Sequence, residues 1–200
     1  MRSDPVIFEF AKSLRVPDAD LKERLDHARG LFPTTDRAPD TVLVLSHAKR
    51  MKYNTELNNK LRPESAIYLN LSAKRCQDEC KPQPMWCWPG MLVIGRIKPC
   101  LKSQFYTVLS CNETLVWLQA LTDARADGER PEGVVVNVPS RHATDVFRMS
   151  HSVTYCTSQR LSMRGVIALA DVDSEHFELE HLNLGVTRAT HSSLVEIRDC

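Results

Sequence analysis

Two regimes of apolar patterning follow one another along this chain. Leu21, Leu25 and Ala28 recur at helical spacing, with Asp18 placed to cap the helix and Gly30 to stop it. Thr41 to Leu45 is instead a continuous apolar run of strand length, the pattern of a strand buried on both faces of a parallel sheet. Tyr53, Leu57 and Leu61 then share one face of a helix closed by Pro63, and Ala66 to Leu71 reads as a second strand. Strand, helix and strand in that order predict a βαβ unit.

The middle of the chain changes character. Met91 to Ile97, Phe105 to Ser110, Glu113 to Gln119 and Gly133 to Val138 are short β-type runs with no helical stretch among them. Such spacing predicts a small antiparallel barrel. Gly165 to Ala170, a helix from about Glu175, and a last strand at Ser193 to Ile197 return to the first regime. The predicted fold class is α/β, a parallel sheet layer interrupted by a β insertion. Residues 1–40 form a helical segment and a linker containing Pro33 and Pro39; 41–75 and 139–200 make the α/β layer; 76–138 make the insert.

Composition narrows the function. At 200 residues, 42% hydrophobic and 26% charged, the chain can bury a core. A net charge of +1 excludes a uniformly basic nucleic-acid coat and an acidic tail protein. Charge is nonetheless uneven. Ser46 to Lys102 holds 11 basic and 4 acidic residues, whereas Ala170 to Cys200 holds 2 basic and 7 acidic. A basic centre implies a local anionic partner. No apolar run reaches the roughly 18 residues of a membrane helix, and Glu9 interrupts the short Val6-Ile7-Phe8 run at the start. Seven irregularly spaced cysteines make a poor disulfide framework and read as reduced thiols. The expectation is a soluble, intracellular protein of cytoplasm or nucleus, with no membrane contact.

Candidate chemistry is sparse outside one region. Gly90 and Gly95 have the glycine spacing of a P-loop, but no glycine in the chain is followed by lysine, so the phosphate-cradling loop is missing. Cys76, Cys80, Cys87 and Cys100 are separated by three, six and twelve residues. Only the first gap suits a structural zinc site, and the spacing favours plain thiols, so no metal ligand is assigned. Trp86, Trp88, Phe105, Tyr106 and Trp117 lie in the basic centre. Aromatic residues there serve either as barrel core or as platforms for nucleic-acid bases. Lys49-Arg50-Met-Lys52 and Lys74-Arg75 serve either as solvated faces or as phosphate contacts.

The C-terminal part is more specific. Thr154-Tyr-Cys-Thr-Ser-Gln-Arg-Leu-Ser162 leads into an apolar strand, and Leu184-Gly-Val-Thr-Arg-Ala-Thr190 follows later, with Arg188 set in an apolar helix. In this order the two stretches resemble motifs V and VI of superfamily-1 DNA helicases of the viral and Pif/RecD-like branch. Val44 to Leu61, with His47, Lys49, Arg50 and Asn54 to Asn58, is similar to the strand and helix around motif IV. Trp88 to Leu118 resembles the SH3-like barrel inserted in the second motor domain. The resemblance covers roughly 41–200 and implies a RecA-like second lobe, called UvrD-like C-terminal in this family.

That resemblance implies roles residue by residue. Arg188 matches the catalytic arginine that such a lobe sends to the transferring γ-phosphate, and Gln159 with Arg188 would face the nucleotide. Thr154, Tyr155 and Ser158 would touch a single strand of DNA, as would His47, Lys49 and Arg50. ATP and Mg2+ would be bound only with a first, P-loop-bearing lobe, supplied upstream or on a separate polypeptide, so the chain alone is expected not to hydrolyse ATP. Two departures stand out. Tyr155 or Cys156 takes the place of a common histidine, and Arg160 replaces the glycine of motif V. The Arg160 departure also suits a non-catalytic nucleic-acid-binding module derived from a helicase.

Overall fold

The computed structural model describes residues 4–71, 82–121, 133–159, 161, 163 and 165–198 of the 200. In chain order the elements are α1 (Pro5–Ser13), α2 (Leu21–Leu31), β1 (Thr41–Val44), α3 (His47–Leu61), β2 (Ile67–Leu69), β3 (Met85–Cys87), β4 (Leu92–Gly95), β5 (Phe105–Cys111), β6 (Leu115–Ala120), β7 (Val135–Pro139), α4 (Ala143–Val146), β8 (Phe147–Met149), β9 (Ser152–Thr154), α5 (Tyr155–Ser158), β10 (Ile167–Leu169), α6 (Leu179–Val186) and β11 (Val195–Ile197). They divide into two compact units, one made of 1–50 and 152–200, the other of 51–151. The division between them falls within α3.

In the first unit the strands form a parallel sheet in the order β11-β10-β1-β9. Every strand residue is buried, including Thr41, Ser152, Thr154 and Glu196. Burial at every position is expected of strands covered on both faces. Ser152 reaches a buried place because its hydroxyl donates to the Val42 carbonyl at 3.0 Å. α6 packs on β10 and α2 on β11. Gly185 lets α6 approach, since a Cβ there would meet the Leu169 side chain at 2.6 Å. The N-terminus is fastened by Asp4, whose carboxylate caps α1 by accepting from the Val6 amide at 2.9 Å and takes the Ser192 amide at 3.1 Å. α2 begins differently from the sequence reading. Asp20, not Asp18, accepts the Glu23 amide at 2.8 Å, and Gly30 lies inside the helix. Asp18 instead takes a left-handed turn at φ 62°.

The second unit is antiparallel. β7-β6-β5-β4-β8 form a five-stranded sheet, curled at a bulge between Val108 and Ser110. Its inner face carries Val93, Tyr106, Val108, Val116, Leu118, Val138, Phe147 and Met149. Of the five aromatic residues weighed from the sequence, only Tyr106 is fully buried, its hydroxyl accepting the Leu101 amide at 2.8 Å.

β2 corrects the predicted βαβ unit. It pairs antiparallel with β3, not parallel with β1, whose neighbours are β9 and β10. The reason is visible in its pattern. Ile67 and Leu69 face a core while Tyr68 points outward, the alternation of a strand wet on one side. Asn58 of α3 secures the pair: its amide donates to the Trp86 carbonyl at 2.9 Å, and its carbonyl accepts the Trp86 amide at 2.8 Å.

His151 sits at the end of this unit, stacked on Trp88 at 6.2 Å and buried, with no hydrogen-bond partner for Nε2. Burial pulls its pKa down to about 4. The folded state therefore holds a neutral imidazole that the unfolded chain protonates near its ordinary value of about 6.5. The stability this gives is complete above pH 6.5 and is lost as pH falls toward 4. From pH 7 to 4, wild type is expected to lose about 2–3 kcal/mol more than His151→Leu, measured by urea unfolding. Equal losses would contradict this.

Candidate functional site

In a parallel sheet the strand ends that share one edge carry consecutive loops together, and this edge is where α/β sheets place their chemistry. Here β1 leads through Leu45 and Ser46 into α3, β9 leads into α5, and β10 ends at Leu169, two residues before Asp171. Asp171 joins two of these ends. Its carboxylate accepts the Leu45 amide at 2.9 Å and the Lys49 ammonium at 2.5 Å. Its side chain is 1% exposed and that of Lys49 50%. The Asp171 backbone is left-handed, at φ 64°, which Asp tolerates better than most residues.

The segment 154–159 is fastened from within. Thr154 caps α5, its hydroxyl accepting the Thr157 amide at 3.3 Å and lying 2.8 Å from the Thr157 hydroxyl. Tyr155 is 1% exposed; its hydroxyl donates to the Ala170 carbonyl at 2.9 Å, and its ring meets Phe177 and His181 edge-on. The Ser158 hydroxyl is buried and donates to the Tyr155 carbonyl at 2.7 Å. Two expectations change here. Tyr155 and Ser158 hold the loop's shape and present no surface to a strand, because an apolar ring and a satisfied hydroxyl are more stable inside. The outward positions are Cys156 and Gln159, with Thr157 half-buried.

Arg188 is the point at which two distant motifs meet. Its Nη1 donates to the Gln159 carbonyl at 3.1 Å, and its Nη2 lies 3.4 Å from the Thr187 hydroxyl. Thr187 caps the end of α6 by donating to the Asn183 carbonyl at 2.8 Å. Arg188 thus follows the helix and is not inside it, and it is half-buried. A guanidinium anchored on backbone and partly open to solvent suits the neutralisation of a phosphate.

The remaining candidates separate. His47 is exposed at the first turn of α3, whereas Arg50 is only 3% exposed and so faces inward. Lys49 is committed to Asp171. Lys74, Arg75, Cys76, Cys80 and Arg160 lie outside the described residues. Among the described residues, no three His, Cys, Asp or Glu side chains are placed to hold a metal, and no helix is long and apolar enough to cross a membrane. Sequence reasoning missed Asp171. Its signal was an acid two residues beyond a buried apolar strand.

No family model matches this sequence, and no match is found among curated proteins. Solved structures do match. A Pif1 helicase described in DNA unwinding at forked double-stranded DNA by two coordinating copies superposes with a TM-score of 0.64 at 13% identity, over 98% of this chain and 47% of that one. Bacteroides Pif1 bound to single-stranded DNA gives 0.62 at 12%, over 98% and 49%. Pif1 from Candida albicans gives 0.61 at 11%, over 97% and 53%. The chain spans about half the length of these helicases. Its mixed α/β fold, a parallel sheet with a curled antiparallel sheet, is that of half a Pif1 helicase, the group its motif order resembles.

Proposed function

We propose that this chain acts as the second motor lobe of a Pif1-like DNA helicase, with the antiparallel unit as its SH3-like insert. The observation that carries the reading is the Arg188 bond to the Gln159 carbonyl. It joins the two stretches that resemble motifs V and VI, so that a shift of the strand-contacting loop is felt by the arginine. ATP with Mg2+ would supply the phosphoryl chemistry when held by a P-loop lobe. This chain's part is to place one guanidinium beside the γ-phosphate, where it offsets charge in the transition state. Gln159 and Cys156 form the outward edge of the motif V loop that would meet a single strand, as would the exposed His47.

The chain alone is expected to hydrolyse no ATP above buffer background, with or without single-stranded DNA. Supplying a first lobe should bring DNA-stimulated hydrolysis. Hydrolysis by the purified chain alone, abolished by Arg188→Ala, would overturn the reading. The second reading, a binding module without a motor role, rests on Arg160 in the place of the motif's glycine. It predicts strand binding that ignores both nucleotide and Arg188→Ala, and no hydrolysis with any first lobe.

A further inference from the structure

The outer face of the β2–β3 pair carries an arrangement that the motif residues do not explain. Tyr68 and Trp86 are directly opposite in the register, on the face away from Leu69, Met85 and Cys87, which are buried. Their ring centroids are 5.0 Å apart, tilted by 56°. Tyr68 is 48% exposed, and the Arg62 guanidinium lies 4.3 Å from the Trp86 ring centroid. Large aromatic side chains normally bury their faces, and a cross-strand pair left open to water is the informative case.

The surroundings indicate what such a pair would hold. Tyr68 divides two hollows. One, of about 850 Å³, is lined by Ile67, Leu69, Asn70, Arg141 and His142 beside it; the other, of about 330 Å³, by Asn58, Asn59, Pro84 and Trp86. Arg141 is exposed, and its Nε lies 3.3 Å from the His142 ring. The half-exposed Tyr68 ring with two guanidiniums near it, Arg62 over the Trp86 ring and Arg141 in the hollow that Tyr68 and Glu113 also line, suits a base joined to a phosphate. An apolar peptide would have no use for the two cations. The Trp86 backbone is set firmly, since the Asn58 side-chain amide donates to its carbonyl and accepts from its N–H.

We propose that Tyr68 and Trp86, flanked by Arg62 and Arg141, form a stacking platform for unpaired bases of a single-stranded nucleic acid. This site belongs to the antiparallel unit, whereas the motif V loop belongs to the other unit, and it rests on the reading of the chain as a strand-binding lobe.

The test is fluorescence anisotropy of labelled oligothymidylate, oligouridylate and an abasic deoxyribose-phosphate strand of equal length. Wild type is compared with Tyr68→Leu, Tyr68→Phe and Trp86→Leu, and with Gln159→Ala in the motif V loop. Losing one stacked base should weaken oligothymidylate binding about tenfold in Tyr68→Leu. Tyr68→Phe should keep wild-type affinity, and the abasic strand should be held equally by all three. Oligouridylate tells RNA from DNA, because equal losses mean that only the base is read. Unchanged oligothymidylate affinity in Tyr68→Leu, with Gln159→Ala weakened, would overturn the platform and leave the lobe reading standing. Equal losses on the abasic strand would also overturn it, marking Tyr68 as structural. No binding by wild type would instead remove the lobe reading itself. If Trp86→Leu fails to fold, Tyr68→Leu decides alone, because Tyr68 faces outward.

Discussion

With a first lobe supplied, Arg188→Ala is expected to lower DNA-stimulated ATP hydrolysis by about 10³-fold or more, the range by which arginine fingers act on phosphoryl transfer. The size follows from what is removed. Charge spreads onto the γ-phosphate oxygens in the transition state, and a cation held in place beforehand stabilises it without the cost of reorganising water. Arg188 is held in that sense by the Gln159 carbonyl and the Thr187 hydroxyl. Arg188→Lys should recover only part of the loss, because an ammonium cannot keep the Gln159 carbonyl and reach a phosphate with the same planar fork. Steady-state kinetics at saturating DNA decide it. A loss confined to KM would mean that Arg188 only binds nucleotide, and no loss would remove it from the chemistry.

Lys49→Ala is expected to cost about 3 kcal/mol of folding stability, more than a hundredfold in the folding equilibrium. The carboxylate of Asp171 is 1% exposed and is held by the Leu45 amide and the Lys49 ammonium. Removing the ammonium leaves a buried anion with one backbone donor. Lys49 also stands in the first turn of α3, where the helix dipole disfavours a cation, so its position is explained by Asp171 and not by the helix. The double variant Lys49→Ala with Asp171→Asn should regain part of the loss, because no charge is then stranded. Chemical denaturation measures both. A change within about 0.5 kcal/mol would make Lys49 an ordinary surface lysine and free it for the strand contact read from the sequence.

How much was legible depended on burial. The run Thr41 to Leu45 was read as a strand covered on both faces, and β1 lies at the interior of the parallel sheet. The strands β5, β6 and β7 also announced themselves through apolar runs. β2 was placed in the wrong sheet, although the inward Ile67 and Leu69 around an outward Tyr68 already mark a half-exposed strand. β8 and β9 are three residues each, and Arg148, Ser152 and Thr154 hide them among polar positions. The candidate site divided along the same line. Arg188 and Gln159 were found through motif order and do meet. Tyr155, Ser158 and Arg50 turn inward, because a list of residue types cannot say which side of a short helix meets the core.

Strand binding is tested most directly by the anisotropy of a labelled single-stranded DNA oligomer titrated with this protein across a salt series. A strand-holding lobe should bind with an affinity that weakens linearly on a log–log plot, with a slope reporting several phosphate contacts. No binding even at low salt would contradict a strand-holding lobe.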